Sequence, residues 1–236
     1  MKHKPSPNFD DRKQGRVKYL ILHYTGMTSG HEAIERLCDP AASLSAHYVV
    51  EENGDIFMLV DEDKRAWHAG VSKWEGDTDI NDLSIGIEIV NPGHPYPGYE
   101  SVYRPFPDVQ MKALIDLASE VVKRHHIKPS YILGHSDVAW RRKIDPGELF
   151  DWALLAKHNL GLWPIEINID QEVKIDEMRF RQNLEKFGYD TGDGKENLTS
   201  LISAFQRHFR QKNIDGILDK ETFLILETLL NMKISL

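Results

Sequence analysis

The sequence predicts an α/β fold with a central mixed β-sheet flanked by helices, and a small C-terminal domain of three helices. Short apolar runs of the β type alternate with amphipathic helical patterns over the N-terminal part, which is typical of this class. The pair Asn53-Gly54 between two of these runs indicates a hairpin, so we expect an antiparallel pair within the sheet. From residue 175 onward, apolar residues recur at the helical spacing.

Five apolar runs are predicted to be strands. On a period of two, Tyr19, Ile21 and His23 share one face of the first run. Glu88 lies on the face of the fourth run that is opposite its isoleucines. Polar residues at strand ends are candidates for function, because sites in open α/β sheets form there. The predicted strands cover residues 19–22, 46–50, 56–60, 84–90 and 131–133.

Helical spacing predicts three helices among and after these strands. They cover residues 31–38, 109–125 and 149–160. Residues 91–108 are rich in proline, glycine and tyrosine and are predicted to form a long loop. Loops of this length are uncommon in a compact domain and often line a site.

Each of the three C-terminal helical patterns carries apolar residues on one face. Gly188 closes the first helix, and Asp219 is a suitable N-cap for the third. We therefore expect a first domain at 1–163, a linker at 164–174 and a three-helix domain at 175–236. The apolar positions are Phe180, Leu184 and Phe187, then Leu198, Ile202, Phe205 and Phe209, and finally Phe223, Leu226 and Leu230.

Composition argues against some classes of function. The net charge is −8, and the ten basic and ten acidic residues from Lys174 onward cancel, so the excess lies in the N-terminal part. A nucleic-acid-binding protein would show a basic face instead. No apolar run is long enough for a membrane span. The single cysteine, Cys38, excludes an internal disulfide, and its apolar neighbours predict a packed core thiol.

Polar residues at or near strand ends suggest a metal centre. His23, His135 and Asp145 would form a set that zinc accepts while it keeps one position open for water. Water bound to zinc in such sites has a pKa near ~7. Glu88 is costly among isoleucines without a task, and could act as the general base. Lys143 could stabilise the oxyanion formed when water attacks a carbonyl.

Each of these residues also has a plainer interpretation. His23 or His135 could be a hydrogen-bonded residue at a strand end. Glu88 could be a carboxylate on a solvated edge strand, and Lys143 taken alone would be a solvated charge. The chemistry of the residues by itself leaves both interpretations open.

Five motifs, kept in order between Tyr19 and Trp152, resemble those of a known family. They are L-I-L-H-Y-T, S-A-H-Y-V-V-E-E-N-G-D-I, A-W-H-A-G, S-I-G-I-E-I-V-N-P-G and G-H-S-D-V-A-W-R-R-K-I-D-P-G-E-L-F-D-W. This region is similar to the zinc-dependent N-acetylmuramoyl-L-alanine amidases of the type-2 amidase family, especially their AmiD/AmpD-like branch. The resemblance implies Zn²⁺ as cofactor and a fold shared with peptidoglycan-recognition proteins.

The same resemblance implies a role for each candidate residue. His23, His135 and Asp145 would be the zinc ligands. Glu88 would be the catalytic acid/base, and Lys143 would stabilise the transition state. No core motif of the family is missing from the chain.

Further candidates concern substrate binding. Trp67 and His68 of A-W-H-A-G could contact the sugar or the stem peptide, or they could be a core residue and its support. His47 of S-A-H-Y could lie behind the site or be a satisfied core histidine. Asn91, in the long loop, could meet the substrate.

The C-terminal helices resemble the three-helix peptidoglycan-binding domain. The resemblance rests on the segments L-E-K-F-G-Y, I-S-A-F-Q-R-H-F and I-D-G-I-L-D-K-E-T. It implies the cell wall as a partner. The alternative is a helical appendage with a structural role.

We therefore expect a zinc hydrolase that cleaves the amide between N-acetylmuramic acid, or its 1,6-anhydro form, and L-alanine of the peptidoglycan stem peptide. The rival interpretations are a non-catalytic peptidoglycan receptor, which typically lacks metal ligands, and a zinc peptidase acting within the stem peptide. The wall-binding resemblance favours the periplasm or cell envelope of a Gram-negative-type bacterium, whereas the absence of a visible signal sequence favours the cytoplasm. The choice between intact wall and released muropeptide, and the oligomeric state, are left open.

Overall fold

The strands form one mixed sheet and a separate two-stranded ribbon. The computed structural model describes residues 1–192 and 198–235. Six strands make the central sheet, and two make the ribbon. The strands are β1 (Lys2–His3), β2 (Phe9–Asp11), β3 (Tyr19–Tyr24), β4 (Tyr48–Val50), β5 (Ile56–Met58), β6 (Lys64–Ala66), β7 (Ser84–Ile89) and β8 (Ile132–Gly134).

Helices connect these strands and make up most of the C-terminal part. None of the helices in the described ranges is long and apolar enough to cross a membrane. The helices are α1 (Gly30–Cys38), α2 (Ile80–Leu83), α3 (Asp108–His125), α4 (His135–Val138), α5 (Trp152–Lys157), α6 (Glu177–Phe187), α7 (Leu198–Phe209) and α8 (Lys220–Ile234).

The centre of the sheet is parallel, and one edge contains an antiparallel pair. The strand order is β1-β5-β4-β7-β3-β8, with β2 paired to β6 in the ribbon. Strands β4, β7, β3 and β8 run parallel to one another, while β5 is antiparallel to β4. Because parallel strands bring their carboxyl ends to one edge, the register places His23 directly opposite Glu88. The predicted mixed sheet is confirmed.

Strand β3 separates two buried clusters, as its period-two pattern predicts. Leu20 and Leu22 belong to the cluster that contains the β7 isoleucines and the apolar stripe of α3. Tyr19 and Ile21 belong to the other cluster, which continues into α6, α7 and α8. The C-terminal helices therefore share a buried core with the sheet, instead of forming a core of their own. The division into 1–163, 164–174 and 175–236 stays a prediction.

The helix predicted at 149–160 is shorter than expected and covers Trp152–Lys157. Asp151 accepts a hydrogen bond from the Leu154 N–H, and this side-chain cap begins the helix. Asn159 has a φ of 59°, a left-handed conformation that ends helices. Local capping therefore sets the two ends of this helix, and it makes the helix shorter than the apolar spacing predicts.

Strands β1, β2 and β6 are not predicted by the sequence pattern. The residues of β1 and β2 are exposed, and β6 is half-buried over most of its length. Without a buried face, such strands show no alternation of apolar and polar residues. They are recognised only from their pairing.

Cys38 is half-buried and packs against the cluster around α1.

The two parts of the chain meet closely at Trp74. The indole is fully buried, and its ring centroid lies 4.8 Å from that of Tyr189 and 6.1 Å from that of Phe187. Beside it, the Glu75 N–H donates a 2.9 Å hydrogen bond to the Gly188 carbonyl. A Cβ at Gly188 would lie 2.3 Å from the indole, so only glycine fits at this position.

We expect Gly188→Ala to destabilise the protein more than Gly76→Ala. Both glycines have positive φ values, +134° and +85°, where an L side chain costs about 1–3 kcal/mol. At Gly76 nothing lies within 4 Å of the added Cβ, so the collision with Trp74 is specific to Gly188. Overpacking of this kind adds about 1–3 kcal/mol. Urea unfolding gives the free energy of unfolding of each variant. Equal values for the two variants would contradict the close packing at Trp74.

Candidate metal centre and active site

A cavity of about 650 Å³ brings the catalytic candidates together. His23, Glu88, His135, Lys143 and Asp145 all line it. The first two come from the neighbouring strands β3 and β7, and the third begins helix α4 directly after β8. The last two lie on the loop that follows α4. The residues that the sequence places more than a hundred positions apart are therefore neighbours in the fold.

Three of these residues converge on one point. His23 Nδ1 lies 3.0 Å from His135 Nδ1 and 3.0 Å from Asp145 Oδ2. His135 Nδ1 and Asp145 Oδ2 are also 3.0 Å apart. All three side chains are buried. Their ligand atoms form the group within the described residues that could hold a metal ion.

Hydrogen bonds behind His23 decide which of its nitrogens carries the proton. The Ser84 hydroxyl donates to the Ile80 carbonyl at 2.6 Å, so its oxygen accepts from His68 Nε2 at 3.1 Å. A neutral His68 then offers Nδ1 as an acceptor, and the His23 Nε2–H donates a hydrogen bond to it at 3.0 Å. Burial lowers the pKa of His68 well below its ordinary value, which keeps that ring neutral. The lone pair of His23 Nδ1 therefore points at the cluster.

His135 is oriented in the same way by a backbone group. Its Nε2 lies 3.0 Å from the Ala69 carbonyl oxygen, which can only accept, so Nε2 carries the proton. Its Nδ1 is then a bare lone pair as well. The Arg142 guanidinium also donates to the Ala69 carbonyl and to the Val71 carbonyl, which holds this strip of backbone in place.

The resulting set of acceptors fits a metal ion. Burial, with the nearby His135, lowers the pKa of His23 to about 4, so the ring is neutral at pH 7. The third group, the Asp145 carboxylate, offers an Oδ2 that lies 3.0 Å from both Nδ1 atoms. Two neutral nitrogens, each fixed by a hydrogen bond on the far side of its ring, and one carboxylate oxygen match the donor set of an open zinc site.

Glu88 stands at the edge of this cluster. Its Oε2 is out of contact with solvent and has no hydrogen-bond partner among the described residues. Burial, followed by the negative charge of Asp145, raises the pKa of Glu88 well above its ordinary value, and Lys143 opposes this shift. A carboxyl group with a raised pKa can both accept and return a proton near neutral pH.

Lys143 lines the same cavity and is half-buried. Its backbone N–H donates to the Ala139 carbonyl at 3.1 Å, which ties the residue to the turn after α4. No carboxylate in the described parts of the chain lies within ion-pair distance of its ammonium group. The charge is therefore available to a ligand in the cavity.

Of the four substrate-binding candidates, Trp67 and His68 line the cavity. Trp67 is half-buried, and its indole N–H donates to Asp10 at 2.8 Å, so the ring is held as part of the wall. Both ring nitrogens of His68 are used by His23 and Ser84, so its contacts support the cluster.

The other two candidates, His47 and Asn91, do not line the cavity. His47 is fully buried, accepts from the Gly86 N–H at 2.9 Å and contacts the Lys64 carbonyl at 3.0 Å. Asn91 is also fully buried, and its amide donates to the Arg104 carbonyl across the base of the long loop. Their hydrogen bonds hold the scaffold around the site.

Sequence patterns do not single out several other residues at the site. Ser84 decides the tautomer of His68, and Tyr24 and His94 line the cavity beside the cluster. A signal for His94 was present, because it lies in the long loop expected to line a site. Ser84 has no such signal, since its contact depends on how α2 leads into β7.

The chain matches two protein-family models. Residues 13–148 match the family described as N-acetylmuramoyl-L-alanine amidase, and residues 178–226 match a peptidoglycan binding domain. The chain is 37% identical to the N-acetylmuramoyl-L-alanine amidase AmiD of Escherichia coli K12. That match covers 94% of this chain and 87% of the other protein. Both family resemblances that the motifs predict are confirmed.

Two solved structures resemble the fold over nearly the whole chain. The complex of Escherichia coli AmiD with anhydro-N-acetylmuramic acid-L-Ala-D-γ-Glu-L-Lys has a TM-score of 0.82 at 34% identity, covering 97% of this chain and 93% of that one. AmpDh3 of Pseudomonas aeruginosa, in complex with an anhydromuramic pentapeptide, has a TM-score of 0.85 at 31% identity, covering 98% and 96%. The predicted fold class is confirmed.

We expect Glu88→Gln to stabilise the metal-stripped protein, and increasingly so as the pH rises. In the unfolded chain Glu88 ionises near pH ~4.3, whereas burial holds its folded pKa well above the ordinary value. The stability tied to this group is thus full below the unfolded pKa and is lost as the pH rises through the folded one. Glutamine does not titrate and avoids that loss.

Urea unfolding at several pH values from about 4 to about 8 measures this difference. Glu120→Gln, at an exposed position of α3, is the matched control and should follow the parent protein at every pH. A gap between Glu88→Gln and the parent that stays constant with pH would contradict the burial of an ionisable group at this position.

Proposed function

Because the chain belongs to the N-acetylmuramoyl-L-alanine amidase family, we propose that it is a zinc-dependent hydrolase of the muramyl–L-alanine amide in peptidoglycan turnover or recycling. The observation that carries the proposal is the convergence of two imidazole lone pairs and one carboxylate beside Glu88, whose buried Oε2 has no hydrogen-bond partner in the described part of the chain. That arrangement suits hydrolysis of an amide by an activated water. The bond is the one between N-acetylmuramic acid, or its 1,6-anhydro form, and L-alanine.

His23, His135 and Asp145 would hold the zinc ion. When bound, zinc supplies Lewis acidity and lowers the pKa of water at the site toward neutrality. His68 and the Ala69 carbonyl keep the two imidazoles in the tautomer that offers Nδ1. Partners of this kind raise the basicity of ligands and fix their orientation.

Glu88 is the proposed acid and base. Its carboxylate takes a proton from the attacking water, and its raised pKa lets it hold that proton while the tetrahedral intermediate exists. Glu88 then gives the proton to the amine nitrogen of L-alanine as the C–N bond breaks. The amine leaves neutral, and the lactyl group of the muramic acid keeps the added hydroxyl as a carboxylic acid, which then loses its proton to the solvent.

Lys143 is the proposed stabiliser of negative charge. The carbonyl oxygen becomes an oxyanion when water adds, and an ammonium group in a partly dry cavity stabilises it more than water would. Since no described carboxylate neutralises this ammonium, its full charge can act on the reacting group. Trp67 supplies an aromatic wall suited to the sugar or the peptide.

The molecules bound in two related structures support a muropeptide substrate. Two similar proteins have structures bound to anhydromuramic peptides, so we propose released anhydro-muropeptides among the substrates. The complete ligand set supports an enzyme over a non-catalytic receptor. Action in the periplasm or cell envelope, and wall binding by the C-terminal helices, stay predictions.

Product analysis tests the bond that is cut. Incubation of the zinc-loaded protein with anhydro-N-acetylmuramic acid-L-Ala-D-γ-Glu-L-Lys should release a free tripeptide that begins at L-alanine, detected by mass spectrometry. Chelator-treated protein is the control and should release none. A product cut between two amino acids would identify a peptidase, and intact substrate after prolonged incubation would sink the catalytic proposal.

Replacement of Glu88 separates chemistry from metal binding. We expect Glu88→Gln to lower kcat about 10²–10⁴-fold, the usual contribution of a general acid–base residue. Bound zinc, measured by elemental analysis, should be unchanged, because Glu88 is not one of the three converging residues. Glu120→Gln serves again as the control. Turnover by Glu88→Gln close to that of the parent would remove Glu88 from the mechanism.

A further inference from the structure

Helix α7 of the C-terminal part contacts both ends of the segment that carries the active-site loop. This catalytic segment, residues 135–148, includes two of the proposed zinc ligands and Lys143. Two adjacent residues of the helix, Arg207 and His208, reach its opposite ends. The family models assign the two parts of the chain to different domains, so these contacts cross between them.

The first end is held by a buried carboxylate, Asp137, two residues after His135. Its Oδ2 accepts from the Gly134 N–H at 2.7 Å and lies 2.7 Å from His208 Nδ1. Its Oδ1 accepts from the Tyr189 hydroxyl at 2.6 Å. Asp137 is fully buried, so each donor offsets a desolvated charge and the loss of one donor is costly. The turn at His135 is thereby tied to the C-terminal part.

His208 is held in the orientation that this contact requires. Its ring stacks on Trp152 with a centroid distance of 3.8 Å, and on Phe209 at 3.8 Å. The imidazole is therefore packed between two aromatic rings, which limits its rotation. Its Nδ1 is the nitrogen that meets Asp137, while Nε2 has no hydrogen-bond partner among the described residues.

The second end is held through Glu148, three residues after Asp145. Its Oε2 lies 3.6 Å from Arg207 Nε, and its Oε1 lies 3.0 Å from His94 Nε2. His94 lines the cavity, and its Nδ1 is 3.2 Å from the Tyr24 hydroxyl. Arg207 of α7 is thus connected to the cavity wall through the Glu148 carboxylate and the His94 imidazole.

We infer that the C-terminal part is a positioning element of the active site, through Arg207 and His208 of α7 and through Tyr189, which follows α6. Tyr189 and His208 hold the His135 end of the catalytic segment through Asp137, and Arg207 holds the His94 wall of the substrate cleft through Glu148. The inference deepens the proposed function and rests on it for the substrate part alone. The C-terminal helices are then required for an ordered catalytic centre, whether or not they also bind the wall.

Tyr189→Phe tests the first contact. It keeps the ring packed on Trp74 and removes the hydroxyl that donates to Asp137. Tyr48→Phe is the matched control, because its ring is also buried and its partly buried hydroxyl donates at 2.8 Å to another carboxylate, that of Glu62, outside the cavity. Both variants should lower the melting temperature by a few degrees, about 2–4 °C per kcal/mol lost.

Zinc retention distinguishes positioning from general stability. We expect Tyr189→Phe to weaken zinc binding about three- to tenfold, somewhat less than the loss of a direct partner of a ligand. Tyr48→Phe should leave it unchanged. Competition with a chromogenic chelator gives both values without any assay of activity. Equal zinc affinity in the two variants would overturn the positioning role of the Asp137 contact.

Arg207→Met tests the second contact. We expect the KM for the anhydromuramyl tripeptide to rise about two- to fivefold, the range of one partly exposed ion pair, with kcat nearly unchanged. Arg181→Met is the control, since it removes an ion pair with Glu177 inside α6. A KM that rises equally in both variants, or not at all, would overturn this part of the inference.

These results separate the inference from the proposed function. If the protein hydrolyses no muropeptide, the proposed function fails, and the zinc-retention comparison still decides the role of Asp137. If the protein is an active amidase and Tyr189→Phe retains zinc as well as Tyr48→Phe does, the positioning role fails and the proposed function stands.

Discussion

The active site depends on one constraint, which is that two imidazole lone pairs and a carboxylate must face one another in a buried space. These three acceptor atoms repel one another unless a cation lies between them. The hydrogen bonds behind His23 and His135 commit both rings to this arrangement, because their outward nitrogens carry the protons. The sheet supplies the rigidity, since parallel strands bring the first ring and Glu88 to one edge.

Glu88 and the proposed metal cluster are electrostatically linked. Asp145 gives the cluster a negative charge that a cation would neutralise, and the same charge helps to raise the pKa of Glu88. Lys143 works against that shift, and would also act on the charge that develops on the substrate. The charges of Asp145 and Lys143 in this partly buried cavity therefore act on the protonation state of Glu88. In the proposed reaction, Lys143 would also stabilise the oxyanion that forms when water adds to the carbonyl.

A second buried carboxylate joins the two parts of the chain. Asp137 has donors from its own loop and from the C-terminal helices, so its burial is tolerable only when both parts are in place. The apolar core also joins the two parts of the chain, because Trp74 packs against Phe187 and Tyr189, which follow the predicted linker. A peptidoglycan-binding domain in this family can thus be part of the folded catalytic unit.

The sequence by itself determined the fold class, the family and the faces of β3 and β7, and it pointed to the five residues that the fold brings to one cavity. Period-two and helical spacing are local, and the motifs report ligand chemistry directly. Only the tertiary structure decided the tautomers, the part played by Ser84 and the link from His208 to Asp137. Those contacts join separate elements of the fold, and the last pair is 71 positions apart in the chain. Their geometry follows from how elements pack, and a local pattern carries no information about that.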